Sequence, residues 1–456
     1  MLCLKRKKLL PPEATFREVW KNGDLATKLS FVIMGAAQLK NKQWLKGIIF
    51  LLTEVVFFAW LVLGGLATIS GLSNLGVNKT IHRTVDAQGY PITVQPDASL
   101  PILLYGVLAL IVVGLLIYIY YVSLKSTRHL YALNRDGKHI PTTKDDLKSL
   151  MDERIHQTLM AIPLIGILIF TVLPLMINIL VAFTNYDFKH QIGFSWTGFE
   201  AFGKIFTQGN IAYTFFSLLA WTIIWAILAT FTTFFFGVLL ALLIESKGIK
   251  YKGVWRTLFV IVFAMPQFMS LLMMSQFFAD GGPINTWLQN MHIISANNPI
   301  PFLSDPIFAK ATVLLVNMWI GIPVSMLLAT AIIQNISQDQ IEAARIDGAN
   351  TFQVFRSITL PQILFVMTPA LIQQFVGNIN NFNVIFLLTG GGPLNANFYQ
   401  AGSTDLLVTW LFNLTMKGGI ANYNIGSAIG IFIFIVVAGF SLITYRRTNA
   451  FKEGSN

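Results

Sequence analysis

Along this chain the apolar positions do not alternate with polar ones; they run on. Eight unbroken apolar stretches occupy Gly47–Ile69, Pro101–Leu124, Leu159–Phe183, Tyr213–Ile244, Thr257–Ala279, Ala311–Ile333, Gln362–Leu388 and Ile425–Tyr445. Crossing about 30 Å of hydrocarbon at 1.5 Å per residue takes roughly 20 residues. Only helices or closed barrels satisfy their backbone groups in lipid, and continuous runs select helices. The pattern predicts an all-α membrane protein with eight transmembrane helices. A shorter apolar stretch, Leu25–Leu39, predicts an interfacial or half-buried helix ahead of the first span.

Composition agrees. The 456 residues are 54% hydrophobic and 12% charged, with 37 Phe, where soluble domains carry about a quarter charged residues. A soluble enzyme, a nucleic-acid binder and a disordered chain are excluded. The net charge of +11 is a topology signal: with a cytoplasmic N-terminus, 26 Lys and Arg fall inside and 6 outside. Both termini are therefore expected in the cytoplasm of a multi-pass cell-membrane protein, with lipid and not nucleic acid as the charged partner. The expected organisation is a cytoplasmic or interfacial segment (1–46), two spans with an external loop (47–124), a cytoplasmic linker (125–156), a six-span core (157–446) and a cytoplasmic tail (447–456). The leading MLCLKRKKLLPPE is basic but lacks an apolar region, so no cleaved signal is expected.

Reactive chemistry is sparse. Cys3 is the single cysteine, and the six histidines show no ligand spacing, so no metal or disulfide is expected. No paired carboxylates or Ser/His/Asp set accompany the spans, which argues against an enzyme. No G-x-x-x-x-G-K-[ST] occurs, so the chain binds no ATP through a P-loop. Glu54 is the one ionisable residue within the eight stretches: either a structural or snorkelling side chain or a proton-coupling site. A charged solute would lack a partner in such a pathway, whereas a neutral, hydroxyl-rich one could exchange hydrogen bonds with amides. Asn317 opens NMWIGIP in the sixth stretch, and QQFVGNINNFN in the seventh places Asn378 and Asn381 on one helix face. These amides either line a pathway or bond helix to helix. Gly321 and Pro323, with Gly377, are candidate breaks in their helices.

Between the sixth and seventh stretches lies SQDQIEAARIDGANTFQVFRSITLP. Ser337 and Gln340 have capping-box spacing, Gly348 suits a left-handed helix stop, a short helix should follow from Thr351, and Pro361 suits a first turn. The expected product is a helix–turn–helix with small alanines open to a partner. This run resembles the EAA loop of binding-protein-dependent ABC importer permeases, through Glu342, Ala343, Ala344, Gly348, Ile358, Leu360 and Pro361. YKGVWRTL (251–258), NMWIGIP (317–323), NINNF (378–382) and LLTGGGP (387–393) resemble the larger membrane subunit of maltose/maltodextrin importers.

The resemblance implies a type I permease core of six helices with two extra N-terminal helices. It implies sugar contacts at Asn317, Ile320, Gly321, Asn378 and Asn381, and an EAA loop (337–361) docked on a separate ATPase. It further implies an ATPase dimer that uses the ATP, a second permease subunit and an extracellular sugar-binding protein; this chain itself would bind no cofactor. Val324 and Gly377 stand where the well-known relative has aromatic residues, and the loop Thr184–Ala212 is short where enteric relatives carry a large domain. Another neutral oligosaccharide, or several sugars, remains open as substrate. Outside the family, an ion-coupled secondary sugar transporter and a non-transporting scaffold remain alternatives.

Overall fold

Among the described residues of the computed structural model, seven helices are long and apolar enough to cross a membrane, or eight if a bent pair, Lys252–Ala264 with Gln267–Phe277, is counted as one span. The structure describes residues 14–447 other than 86, 87, 153, 247, 296 and 417–419, and not the side chains of residues 157 and 447. Segment 1–13 and all but the first residue of the predicted tail lie outside the described residues. Two units can be distinguished: residues up to Leu180 with His190–Trp196, and Val181–Lys189 with the residues from Thr197 onward. The third span thus groups with the first unit and not with the core predicted to begin at residue 157. Its flanks are exposed, and it packs on the short helix Thr143–Met151 just before it.

In the first unit, α1 (Trp44–Asn74) and α2 (Ser99–Arg135) form an antiparallel hairpin, and α3 (Thr158–Val181) is the third span. Strands β1 (His82–Val85) and β2 (Pro91–Val94) pair between α1 and α2, with His82 opposite Val94. The end of α1 is closed by cation and hydroxyl: Lys79 Nζ donates to the carbonyls of Asn74, Leu75 and Phe194, and Ser99 Oγ to those of Leu75 and Phe194. A cation suits the negative end of the helix dipole.

The stretch Leu25–Leu39 is not one helix. It divides into Leu25–Leu29 and Ala36–Lys40, because Gly35 takes a φ of +90°. A Cβ on Gly35 would lie 2.3 Å from the Gly47 carbonyl oxygen, so glycine permits both the turn and the close approach. Glu54 fixes this segment by accepting the Met34 N–H at 2.6 Å. That contact supports the structural reading of the carboxylate.

The second unit is built on α4 (Gly209–Glu245), which packs along α7 (Pro306–Asn335) and against α9 (Thr351–Ile379). Small residues set the approach: a Cβ on Gly237 would lie 2.4 Å from Ser325 Cβ, and one on Gly321 2.5 Å from Thr233 Cγ2. Helices in lipid associate through such close packing, since lipid tails offer no hydrophobic drive. Around this axis stand α5 (Lys252–Ala264), α6 (Gln267–Phe277), α8 (Gln338–Ile346), α10 (Phe382–Thr389), α11 (Leu407–Met416) and α12 (Tyr423–Arg447).

Two predicted spans are broken. The fifth bends by 89° between α5 and α6, because Pro266 offers no N–H and its ring holds Met265 extended (φ −99°, ψ 138°). The seventh ends at Ile379 and resumes at Phe382. By contrast α7 runs unbroken through Gly321 and Pro323, and Gly377 lies inside α9; the expected breaks at these residues do not occur.

Candidate functional site

Three predicted asparagines meet in the second unit. Asn381 Nδ2 lies 3.3 Å from Asn317 Oδ1 and 3.5 Å from Asn378 Oδ1, while Asn378 Nδ2 donates to Thr230 Oγ1 at 3.0 Å. They do not share a helix face as predicted. Asn378 belongs to the last turn of α9, and Asn381 is the N-cap of α10, its Oδ1 accepting the Val384 N–H at 3.3 Å. The break still brings them together, because the carbonyl of Asn378, near the helix end, accepts the Trp225 indole N–H at 3.1 Å and the Asn381 N–H at 3.2 Å. Asn380 and Asn383 are exposed and stand apart from this set.

Asn317 and Asn378 are only 7% and 6% exposed, so in this conformation the amides satisfy one another. A hydroxyl-bearing solute would have to replace those bonds one for one, which an amide can do as donor and acceptor. Ile320 packs into the apolar cluster around Trp225 and Val316, and Gly321 makes room for Thr233. Thr233 also receives a hydrogen bond from Gln374 at 2.7 Å. Thr230, Thr233 and Gln374 extend the polar seam and were missed in the sequence, although TFTT (230–233) is a polar run inside an apolar span.

Lys310 was also missed, having been placed in the loop before the sixth span. Helix α7 begins at Pro306 instead, capped by Asp305 Oδ1 on the Ile307 and Phe308 N–H groups. This puts the Lys310 ammonium 4.5 Å from the centre of the Trp221 ring.

At the other end of the bundle, of the residues that resemble the EAA motif, Glu342, Ala343 and Ala344 lie on α8, Gly348 in the turn after it, and Ile358, Leu360 and Pro361 on the first turns of α9. Ser337 is the N-cap of α8, but its side chain makes no capping bond, and Gln340 instead accepts from Gln362 at 3.0 Å. The capping box belongs to the next helix: Asn350 and Gln353 bond each other's backbone N–H at 2.9 and 2.8 Å. Gly348 has a φ of +87°, and the N–H groups of Gly348 and Ala349 return to Arg345 and Ala344 at 3.0 and 2.9 Å. This double bond is a Schellman stop. Pro361 sits in the first turn of the α-helix Leu360–Ile379, as expected, but that helix is not a separate one. A π turn, Phe355–Thr359, joins Thr351–Val354 to Leu360–Ile379, and such widened turns accommodate a proline in a continuing helix.

Glu342, Ala343, Gly348 and Pro361 are exposed, whereas Ala344, Ile358 and Leu360 are partly covered. Ile346 and Phe352, 86% and 67% exposed, add apolar surface not foreseen from the motif. Glu342 and Arg345 border an open cavity of about 1210 Å³ that also reaches Phe235 and Glu245. There Glu245 accepts from Arg256, from Lys252 at 3.3 Å and from Gln334 at 3.2 Å, so one carboxylate ties the ends of α4, α5 and α7.

Residues 233–451 match the family described as binding-protein-dependent transport system inner membrane component. The chain is 33% identical over 429 residues to the galactooligosaccharides transport system permease protein GanP of Bacillus subtilis (strain 168), covering 92% of this chain and 97% of that one. It is 33% identical over 433 residues to the maltodextrin transport system permease protein MdxF of the same organism, covering 92% and 94%. In fold it is similar to a chain of a bacterial ABC transporter involved in the import of the acidic polysaccharide alginate, with a TM-score of 0.55, 23% identity and coverage of 67% of this chain and 98% of that one. The chain belongs to the binding-protein-dependent inner-membrane permeases, and within them to the maltodextrin and oligosaccharide type of ABC importer permease.

Proposed function

We propose that this chain is the membrane subunit that forms part of the sugar pathway in an ATP-driven importer of maltodextrin. The carrying observation is the uncharged amide cluster Asn317–Asn381–Asn378, closed on itself in the heart of the helix bundle. Its chemistry matches hydroxyl groups, and relatives named for maltodextrin and galactooligosaccharides favour a neutral oligosaccharide. A galactooligosaccharide is the second reading, favoured by the GanP match.

In this reading the chain binds no cofactor. Its exposed α8 docks on one subunit of an ATPase dimer, a second permease engages the other, and an extracellular binding protein delivers sugar. ATP binding closes the ATPases and swings α8, and the helices fed by it open the amide cluster outward; hydrolysis resets the inward state. This requires the contacts of α8 to differ between the two states. Exposed Ala343, Ile346 and Phe352 would supply the docking surface, and the 26-to-6 distribution of basic residues supports termini on the ATPase side. The test is uptake by the reconstituted assembly: maltodextrin should accumulate only with ATP and the binding protein. Uptake that survives ATP depletion and collapses with an uncoupler would refute the reading, and preference for galactosides would select its variant.

A further inference from the structure

We infer that Lys310, seated on Trp221, is a sugar-contacting residue of a second subsite, one that reads oligosaccharide units beyond those held by the asparagines. This rests on the proposed sugar pathway through the amide cluster. Lys310 lies seven residues before Asn317 on α7, at the end remote from the EAA loop. Seven residues rise about 10 Å and return within about 20° of the same face. A saccharide chain lying along that face would meet the ammonium after leaving the amide.

The two places are physically continuous. Trp221 stands 6.3 Å from Trp225, whose indole N–H holds the Asn378 carbonyl. Trp221 is itself pinned by its N–H on the Thr404 carbonyl at 3.3 Å. The ring is therefore a fixed floor for the ammonium, linked through Trp225 to the amide seam.

The state of the ammonium points to a ligand. The two acids that precede it most closely in the chain are occupied elsewhere, Asp305 capping α7 and Asp280 accepting from Ser304 at 2.9 Å. Among the described residues Lys310 forms no ion pair, and its ammonium rests over the Trp221 ring. A half-buried ammonium carries three donors, and a ring face satisfies only part of that demand. A cation near a helix N-terminus is also disfavoured by the dipole. Oxygen acceptors supplied by a ligand would meet both costs. Saccharide hydroxyls provide them, as would the carboxylate of an acidic unit.

The experiment uses the complete importer in proteoliposomes at saturating binding protein, comparing wild type, Lys310→Gln, Lys310→Arg and Trp221→Phe. The probes are neutral di- and tetrasaccharides of glucose and of galactose, and a tetrasaccharide ending in a uronic acid. For the neutral sugars the tetrasaccharide-to-disaccharide uptake ratio should fall about tenfold in Lys310→Gln and recover in Lys310→Arg, with disaccharide uptake unchanged. If only the uronate-bearing sugar loses uptake, the acceptor is a carboxylate and the subsite serves acidic units. An equal loss for every length, or no loss, overturns the inference, because a packing lysine cannot distinguish chain lengths. Failure of the wild type to import any of these sugars would instead sink the proposed function.

Discussion

Asn381 and Asn317, 64 residues apart in sequence, bond amide to amide at 3.3 Å across two helices. Of the three asparagines, Asn317 gives the cleanest test of a pathway role. Asn381 also caps α10, so Asn381→Leu carries a cap loss of about 1 kcal/mol whatever its role in transport. Asn317 caps nothing, and Asn317→Leu keeps the volume while removing the acceptor. Uptake of neutral oligosaccharide should fall at least tenfold, with stimulated ATP hydrolysis reduced but the assembled complex intact by size exclusion. Unchanged uptake would reduce the amide cluster to interhelical packing.

The spans and the short helices between the sixth and seventh could be read from the sequence because each depends on local chemistry: apolar length, a glycine stop. Breaks were harder. Gly321 and Pro323 looked like helix breakers, yet α7 passes through both, and Gly321 is spent on contact with Thr233. The real break, at Asn380 and Asn381, has no proline and arises because Asn381 serves as an N-cap. Lys310 escaped notice because an apolar-run boundary ignores the helix turn that Asp305 caps ahead of it. The link from Glu245 to Gln334 spans 89 residues and has no local signal at all.

The loop makes a second prediction. Gly348 has the positive φ required by the Schellman stop, and its N–H completes it. Gly348→Ala should cost about 1 kcal/mol locally and lower coupling in part. Gly348→Pro, which fixes a negative φ and removes the N–H, should abolish both uptake and stimulated hydrolysis without impairing membrane insertion. Glu342→Lys, exposed and free of that backbone demand, should do the same through the docking surface alone. Normal hydrolysis in both would refute the coupling role of the loop.

Glu245 offers a third. Its carboxylate is 13% exposed and holds Lys252 and Arg256 of α5 together with Gln334 of α7, just ahead of α8. Glu245→Gln leaves two cations facing a neutral amide, at a cost of about 1–3 kcal/mol, between the surface and buried limits for ion pairs. If the carboxylate carries motion from α8 to the broken span, ATP hydrolysis should persist while the sugar moved per ATP falls. Glu245→Arg combined with Arg256→Glu should recover part of that ratio. A proportional loss of hydrolysis and transport in every variant would mean that the cluster serves folding only.

Glu54 decides between energy sources. A proton-coupled carrier would need this carboxylate to bind and release a proton, so Glu54→Gln should abolish accumulation. The structure instead shows Glu54 accepting the Met34 N–H at 2.6 Å, holding the N-terminal segment against α1. Glutamine can still accept that bond through its carbonyl oxygen, though more weakly than an ionised carboxylate. Glu54→Gln should therefore retain ATP-driven uptake to within about twofold, at a cost of about 1 kcal/mol at the segment. Glu54→Leu, which offers no acceptor, should loosen residues 25–40, detected as faster proteolysis there. An uncoupler should leave initial uptake in ATP-loaded vesicles unchanged for wild type and both variants. Collapse of wild-type uptake under the uncoupler, reproduced by Glu54→Gln alone, would transfer the energy source from the ATPase to the proton gradient.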